Sequence, residues 1–275
     1  MNQDVTELPD PRQSRAVLVG VANYERLSKL PAVGNNLSAL ADELRSARVW
    51  GLPRDNCKVK KDPTTAADML DLVREAAANA TDTLLFYYAG HGLVDRRSEL
   101  HLALLGSDSD PARIYTAVPY DHIRDALLYS RTLRRIVILD CCYSGRALGQ
   151  MADPLSAVVN QASAEGTYVL AATAENKEAL ARPGEQYTAF TAELLDIMRN
   201  GIPERGSRLA LDSIYRQLLE VMSSKGLPLP QKSDRNTTGQ LTLIYNQSFR
   251  QPTNAPVAVT AGGYCLMHGR SKIMM

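Results

Sequence analysis

The chain has 275 residues, 45% of them apolar, enough to bury a substantial core in one large domain or two small ones. Its 31 basic and 30 acidic residues are interspersed to a net charge of +1, with no run of like charge that would make a nucleic-acid or membrane footprint. No segment approaches the roughly eighteen apolar residues that span a bilayer, and the start "MNQDVTELPDPRQSR" has no apolar leader core; the expected setting is cytoplasmic, without nucleic-acid or membrane partners.

Strand-like and helix-like patterns alternate along the sequence. "RAVLVGVANY" (15–24) is a β-branched run, and "NNLSALADELRS" places Leu37, Leu40, Ala41 and Leu44 at helical spacing behind an Asn cap signal. "NCKVKKD" reads as a weaker strand. "PTTAADMLDLVREAAANA" follows as a helix capped at Thr64 or Thr65, with a stripe through Met69, Leu72, Val73 and Ala76. "DTLLFYYAGHG" is nearly continuous in apolar residues, the pattern of a strand buried on both faces. A hairpin over "ELHLALLGSD" and a helix over "VPYDHIRDALLYS" lead to a second strand of that kind, "RRIVILDCCYSG". After a stretch without strong periodicity (147–165) come a strand in "GTYVLAATA", helices in "YTAFTAELLDIMRNG" and "ALDSIYRQLLEVMSSKG", and a last strand in "GQLTLIYN". The alternation predicts an α/β fold, one doubly wound and mostly parallel sheet with helices on both faces. The expected organisation is a flexible N-terminus (1–14), one domain (15–245) and a C-terminal tail (246–275) in which the periodicity stops.

Two of the buried strands end in a reactive side chain flanked by glycine, His91 in "YYAGHG" and Cys142 in "DCCYSG". In open parallel sheets the working groups gather at the carboxyl ends of the strands, so the two ends should be neighbours. A thiol becomes a useful nucleophile when a histidine lies within reach and main-chain N–H groups can stabilise an oxyanion. Glycine lets the main chain approach a substrate carbonyl closely, which makes the N–H groups of Gly92 and Cys142 the candidate oxyanion donors. Taken singly, a histidine after a strand is more often structural and a cysteine at a buried strand end is usually inert packing; the pair of them, with glycine beside each, favours the catalytic reading. Cys57, Cys141, Cys142 and Cys265 are too few and too oddly placed for a disulfide framework, and no CxxC pair suggests zinc, so no metal ligand is assigned. His101 in the hairpin and His122 at the start of a helix read as surface or packing residues.

Together "YYAGHG" and "DCCYSG" resemble the His-Gly and Asp-x-Cys-x-Ser-Gly signatures of the caspase-like cysteine peptidases, especially the metacaspase and bacterial caspase-like branch, with the histidine about fifty residues upstream. The resemblance runs over roughly 15–245 and includes "NNLSALADEL" and "YTAFTAELL". It implies a caspase-like three-layer sandwich whose mostly parallel central sheet has about six strands. It further implies that Cys142 forms the thioester, that Cys141 is a filler facing helix or core, and that His91 polarises the scissile carbonyl or protonates the departing amine. Tyr143 stands where many metacaspases carry histidine, a position outside the dyad.

Asp140 matches an acid that in metacaspases contacts a P1 Arg or Lys, and Glu175 in "AATAENKEA" falls near a second pocket acid. The plain alternatives are a carboxylate held by main chain at a strand end and a solvated loop charge. A buried carboxylate facing a guanidinium discriminates strongly, so cleavage is expected after Arg or Lys and not after Asp. Between Arg146 and Lys177 there is no Lys or Arg, so such an enzyme should work as an uncut single chain. Arg250, Arg270 and Lys272 in the tail offer self-cleavage sites or belong to a plain terminus. Metacaspase-type relatives often need calcium, yet no acidic DxDxDG loop appears; no cofactor is expected, and calcium activation rests on the resemblance alone. The expected partners are protein or peptide substrates, the assembly a monomer or a dimer through sheet edges, and the role that of an effector in stress, cell death or phage defence. The opposing reading is a catalytically silent or locked caspase-like module that acts by binding other proteins.

Overall fold

The computed structural model describes residues 7–132, 134–143, 166–172, 184–234 and 238–250. The first apolar run forms β1 (Arg15–Gly20), followed by α1 (Ala32–Arg45), β2 (Cys57–Lys61) and α2 (Ala66–Asn79). The long apolar run is β3 (Thr83–Val94), from which β4 (Leu100–Leu102), β5 (Val118–Pro119) and α3 (Tyr120–Leu128) lead to β6 (Arg134–Tyr143). Then come β7 (Thr167–Ala172), α4 (Ala189–Asn200), β8 (Arg208–Ala210), α5 (Leu211–Ser224), β9 (Gln231–Asp234) and β10 (Thr242–Tyr245).

The central sheet has the order β2-β1-β3-β6-β7-β9, with β4 and β5 continuing antiparallel from β3. Its first five strands are parallel and β9 closes it antiparallel to β7. Helices cover both faces: α1 packs with α4 and α4 with α5, while α2 packs with α3. Every residue of β3 and β7 is buried, as continuous apolar runs in a two-sided sheet require. From β1 the chain moves outward to β2 and then returns to β3 on the other side, so the strand order reverses between β1 and β3. In such sheets the crevice beyond the carboxyl ends at that switch point is where ligands are received.

Three elements differ from the sequence pattern. The helix α1 begins at Ala32 behind Pro31, so the expected Asn caps lie inside it and Asn36 is buried. The sixth sheet position is taken by β9, "QKSD", whose four polar residues are half-buried and show no apolar alternation. An edge strand needs only main-chain groups to pair, and polar side chains there discourage further addition. "GQLTLIYN" instead supplies β10, which pairs with β8 in a separate two-stranded sheet. Of the two expected caps of α2, Thr65 is the one used, in a reciprocal capping box with Asp68.

The chain is held to the domain before β1 begins: Trp50 Nε1 donates to the Pro9 carbonyl (3.1 Å) and the Asp10 N–H to Asp82 Oδ2 (2.9 Å). The aperiodic stretch 147–165 and the tail from 251 lie outside the described residues. Among the described residues no helix is long and apolar enough to cross a membrane.

The loop after β1 matters most for the site. Asp62, just past β2, accepts at Oδ1 from the N–H groups of Ala22 (2.6 Å) and Asn23 (3.1 Å) and at Oδ2 from the Asn23 amide (2.7 Å). The Glu25 N–H donates to the Leu105 carbonyl (3.0 Å), tying the same loop to the segment after β4. Asp62→Ala removes three bonds to a carboxylate and should lower the unfolding free energy by about 1–3 kcal/mol, read as a lower urea midpoint at unchanged slope.

Candidate active site

Parallel pairing of β3 with β6 sets Ala89 opposite Asp140, Gly90 opposite Cys141, His91 opposite Cys142 and Gly92 opposite Tyr143. The two residues singled out by the sequence are therefore Cα partners on adjacent strands at their carboxyl ends, which parallel strands hold about 4.8 Å apart. Gly92 is flanked on its other side by Leu102 of β4. Cys141 is fully buried, in keeping with a filler. Cys57 is a buried thiol that desolvation pushes up to about 11.

His91 is only 4% exposed. Its Nε2 lies 2.8 Å from the Ser28 carbonyl oxygen. A carbonyl can only accept, so Nε2 carries the proton and Nδ1 is the basic nitrogen of the neutral ring. The ring packs against Tyr24, with centroids 4.7 Å apart and planes tilted by 50°. The main chain of His91 is clamped as well: its N–H donates to Tyr24 Oη (2.7 Å), and its carbonyl accepts from the Ala103 N–H (3.0 Å) and faces Tyr88 Oη (2.9 Å). These hydroxyls explain the glycine before the histidine. A Cβ at residue 90 would stand 2.5 Å from Tyr24 Oη and 2.7 Å from Tyr88 Oη, so no side chain fits without dismantling the clamp.

Asp140 is fully buried between the end of β6 and the helices α1 and α4. Its Oδ2 accepts from the hydroxyls of Thr188 and Thr191, both at 2.5 Å, with Tyr87 Oη and Asn36 Nδ2 at 3.4 Å. Asn36 Nδ2 donates to Thr188 Oγ1 (2.7 Å) while Asn36 Oδ1 accepts from the Thr188 N–H (3.2 Å), and Tyr87 Oη lies 2.8 Å from Thr191 Oγ1. Thr188 is the N-cap of α4 but makes no side-chain cap bond, because its hydroxyl is committed to Asp140. Among the described residues the carboxylate is thus held by side chains, with no main-chain bond at the strand end. Its Oδ1 has no hydrogen-bond partner among the described residues. Burial pushes the Asp140 carboxyl up to about 6, against the pull of hydrogen bonds from Thr188, Thr191 and Tyr87.

Glu175 lies outside the described residues. Among the described residues, one group of three potential metal ligands stands together, Asp95 and Glu99 on the β3–β4 turn and His101 on β4. Calcium takes about six to eight oxygen ligands, and two carboxylates beside an imidazole do not fit it.

Sequence reasoning missed the groups that hold the two polar side chains. Ser28 acts through its carbonyl and Tyr24 from an irregular loop, neither of which leaves a pattern. Thr188 and Thr191 did leave a signal: hydroxyls three residues apart at a helix start share a face, so they converge on a single acceptor. A carboxyl whose folded pKa is raised from 3.8 to about 6 favours the folded state while protonated and loses that advantage as pH rises between those values. Between about pH 4 and pH 7 the native chain should therefore lose roughly 3 kcal/mol relative to Asp140→Asn, measured by urea unfolding of both.

The comparisons with known proteins fall on the same framework. A family model described as a caspase domain matches residues 13–242. The crystal structure of protein GSU0716 from Geobacter sulfurreducens superposes with a TM-score of 0.55 at 17% sequence identity, covering 84% of this chain and 97% of that one, a likeness of fold. No curated protein matches the sequence. With that match spanning most of the chain, the chain belongs to the caspase domain family of peptidases.

Proposed function

We propose that the chain is a cysteine endopeptidase that cleaves after Arg or Lys, with His91 and Cys142 as its dyad. The observation that carries this reading is the register pairing of His91 with Cys142 at the carboxyl ends of β3 and β6. The hydrogen bond from Nε2 to the Ser28 carbonyl supports it, because it leaves Nδ1 as the nitrogen able to take up a proton. In this reaction the Cys142 thiol gives its proton to His91 and the sulfur attacks the scissile carbonyl. The oxyanion is met by main-chain N–H groups at this strand end, those of Gly92 and Cys142. The imidazolium then returns the proton to the departing amine, leaving a thioester that water hydrolyses with His91 again as base. The Ser28 carbonyl and the Tyr24 ring hold the imidazole in one orientation throughout, so little reorganisation accompanies the transfer.

For specificity, Asp140 stands two residues before Cys142 in the same strand, so the pleat assigns the two positions to one face. Its Oδ2 is saturated by Thr188 and Thr191 and its Oδ1 has no partner among the described residues, which suits a carboxylate awaiting a cation. A P1 guanidinium or ammonium would satisfy it, and a neutral or acidic P1 would leave it unpaired. Glu175 belongs to the same proposal as a second pocket acid. The chain would act without a cut between Arg146 and Lys177, where it offers no basic residue. A role as an effector in stress, cell death or defence follows from the resemblance only.

The full burial of Asp140 favours a second reading, a locked module that opens only on binding a partner. Fluorogenic peptides with P1 Arg, Lys, Asp and Gln separate the two. The first reading expects turnover of Arg and Lys peptides alone, lost by at least about a thousandfold in Cys142→Ala. Turnover of the Asp peptide contradicts the pocket assignment. No turnover of any peptide, with or without calcium, selects the locked module.

A further inference from the structure

The β3–β4 turn carries a polar cluster that the peptidase reading does not use. Residues 95–99 close on themselves: the Asp95 N–H donates to the Glu99 carbonyl (3.1 Å), and Asp95 Oδ1 accepts from the N–H groups of Arg97 and Glu99, both at 2.8 Å. These bonds pin the carboxylate and leave its other oxygen, Oδ2, 3.6 Å from His101 Nε2. His101 sits on β4 opposite Leu93 and Pro119, is 7% exposed, and has no hydrogen-bond partner at either ring nitrogen among the described residues. A buried polar group without a partner is costly, and one aimed at a fixed carboxylate calls for a physical reason. Glu99 adds a second carboxylate, and ligand atoms from all three residues lie within 4.8 Å of one another.

The spacing supplies the reason. A separation of 3.6 Å is too long for a well-made hydrogen bond and amounts to an ion pair only when the imidazole is protonated. Two ligand atoms bound at about 2.0–2.1 Å to one tetrahedral ion, however, stand roughly 3.3–3.5 Å apart. Two carboxylates balance the charge of a divalent cation, and an imidazole nitrogen selects a borderline-soft ion over calcium or magnesium, which prefer oxygen alone. We propose that Asp95, Glu99 and His101 form a binding site for one divalent ion of the zinc class, with the remaining coordination position open to water. This site stands apart from the proposed dyad. Its effect is mechanical: Asp95 follows His91 by four residues, and an ion shared between the turn and β4 ties down the end of the strand that carries His91.

The test is calorimetric titration of the full chain, stripped with chelator, with zinc alone and with calcium alone. A Cys142→Ala background removes the thiol as a competing ligand. One zinc per chain is expected, binding more tightly than calcium and weakened on the order of tenfold or more in both Glu99→Gln and His101→Gln, since losing a direct ligand costs at least as much as losing a supporting one. His101 is buried, so circular dichroism must show that its variant folds; Glu99 lies on the half-exposed turn, and its variant carries the test if the other does not fold. A background chain that takes up no zinc, one that prefers calcium, or a folded variant that binds zinc as its parent does overturns the proposal.

Discussion

Polar groups buried at the ends of apolar strands must find their partners inside the protein, and this requirement organises the site. His91 and Asp140 both stand where β3 and β6 emerge from a core that excludes water. Each is met by groups arriving from distant parts of the chain: the Ser28 carbonyl and the Tyr24 ring for the imidazole, Thr188, Thr191, Tyr87 and Asn36 for the carboxylate. In a medium of low dielectric such bonds are strong when made and costly when left unmade, so the surrounding loops have little freedom to move independently of the two side chains. Position 90 inherits the constraint: it is glycine because two tyrosine hydroxyls occupy the space that a Cβ would need.

The sheet topology makes these meetings possible. Since the strand order reverses between β1 and β3, the loop from β1 to α1 leaves the sheet directly above the end of β3 and can reach His91. Asp62 secures that loop from the end of β2, so a polar residue on an edge strand's exit contributes to the placement of the central histidine. On the other side, α1 and α4 meet over Asp140, and the N-cap of α4 gives up its ordinary local bond to supply a hydroxyl. Losing a cap bond costs helix stability on the order of 1 kcal/mol, which the buried charge network offsets.

How much of this was legible in the sequence follows from which signals are local. The apolar runs of β3 and β6 and the adjacency of their ends could be read directly, since continuous burial and strand-end chemistry both leave residues in a row. The start of α1 could not, because "NN" mimics a cap while Asn36 is in fact turned inward to Thr188. β9 escaped notice because an edge strand pairs through main chain and its side chains carry no period. The clamp around His91 was invisible for a different reason: a carbonyl and two tyrosine hydroxyls acquire meaning only through contacts between residues far apart in sequence. In sequence His101 reads as a surface or packing residue; its burial fits the second, and the approach of its Nε2 to Asp95 appears only in three dimensions.

The central claim is that His91 governs the chemistry of Cys142. Alkylation of Cys142 by iodoacetamide, followed by peptide mass analysis across pH in the native chain and in His91→Ala, tests it most directly, with buried Cys57 as a slow internal reference. The account predicts rapid modification of Cys142 well below the ordinary thiol range of about 8.5, and a profile that moves up into that range when the imidazole is removed. Superimposable pH profiles in the two chains would contradict it.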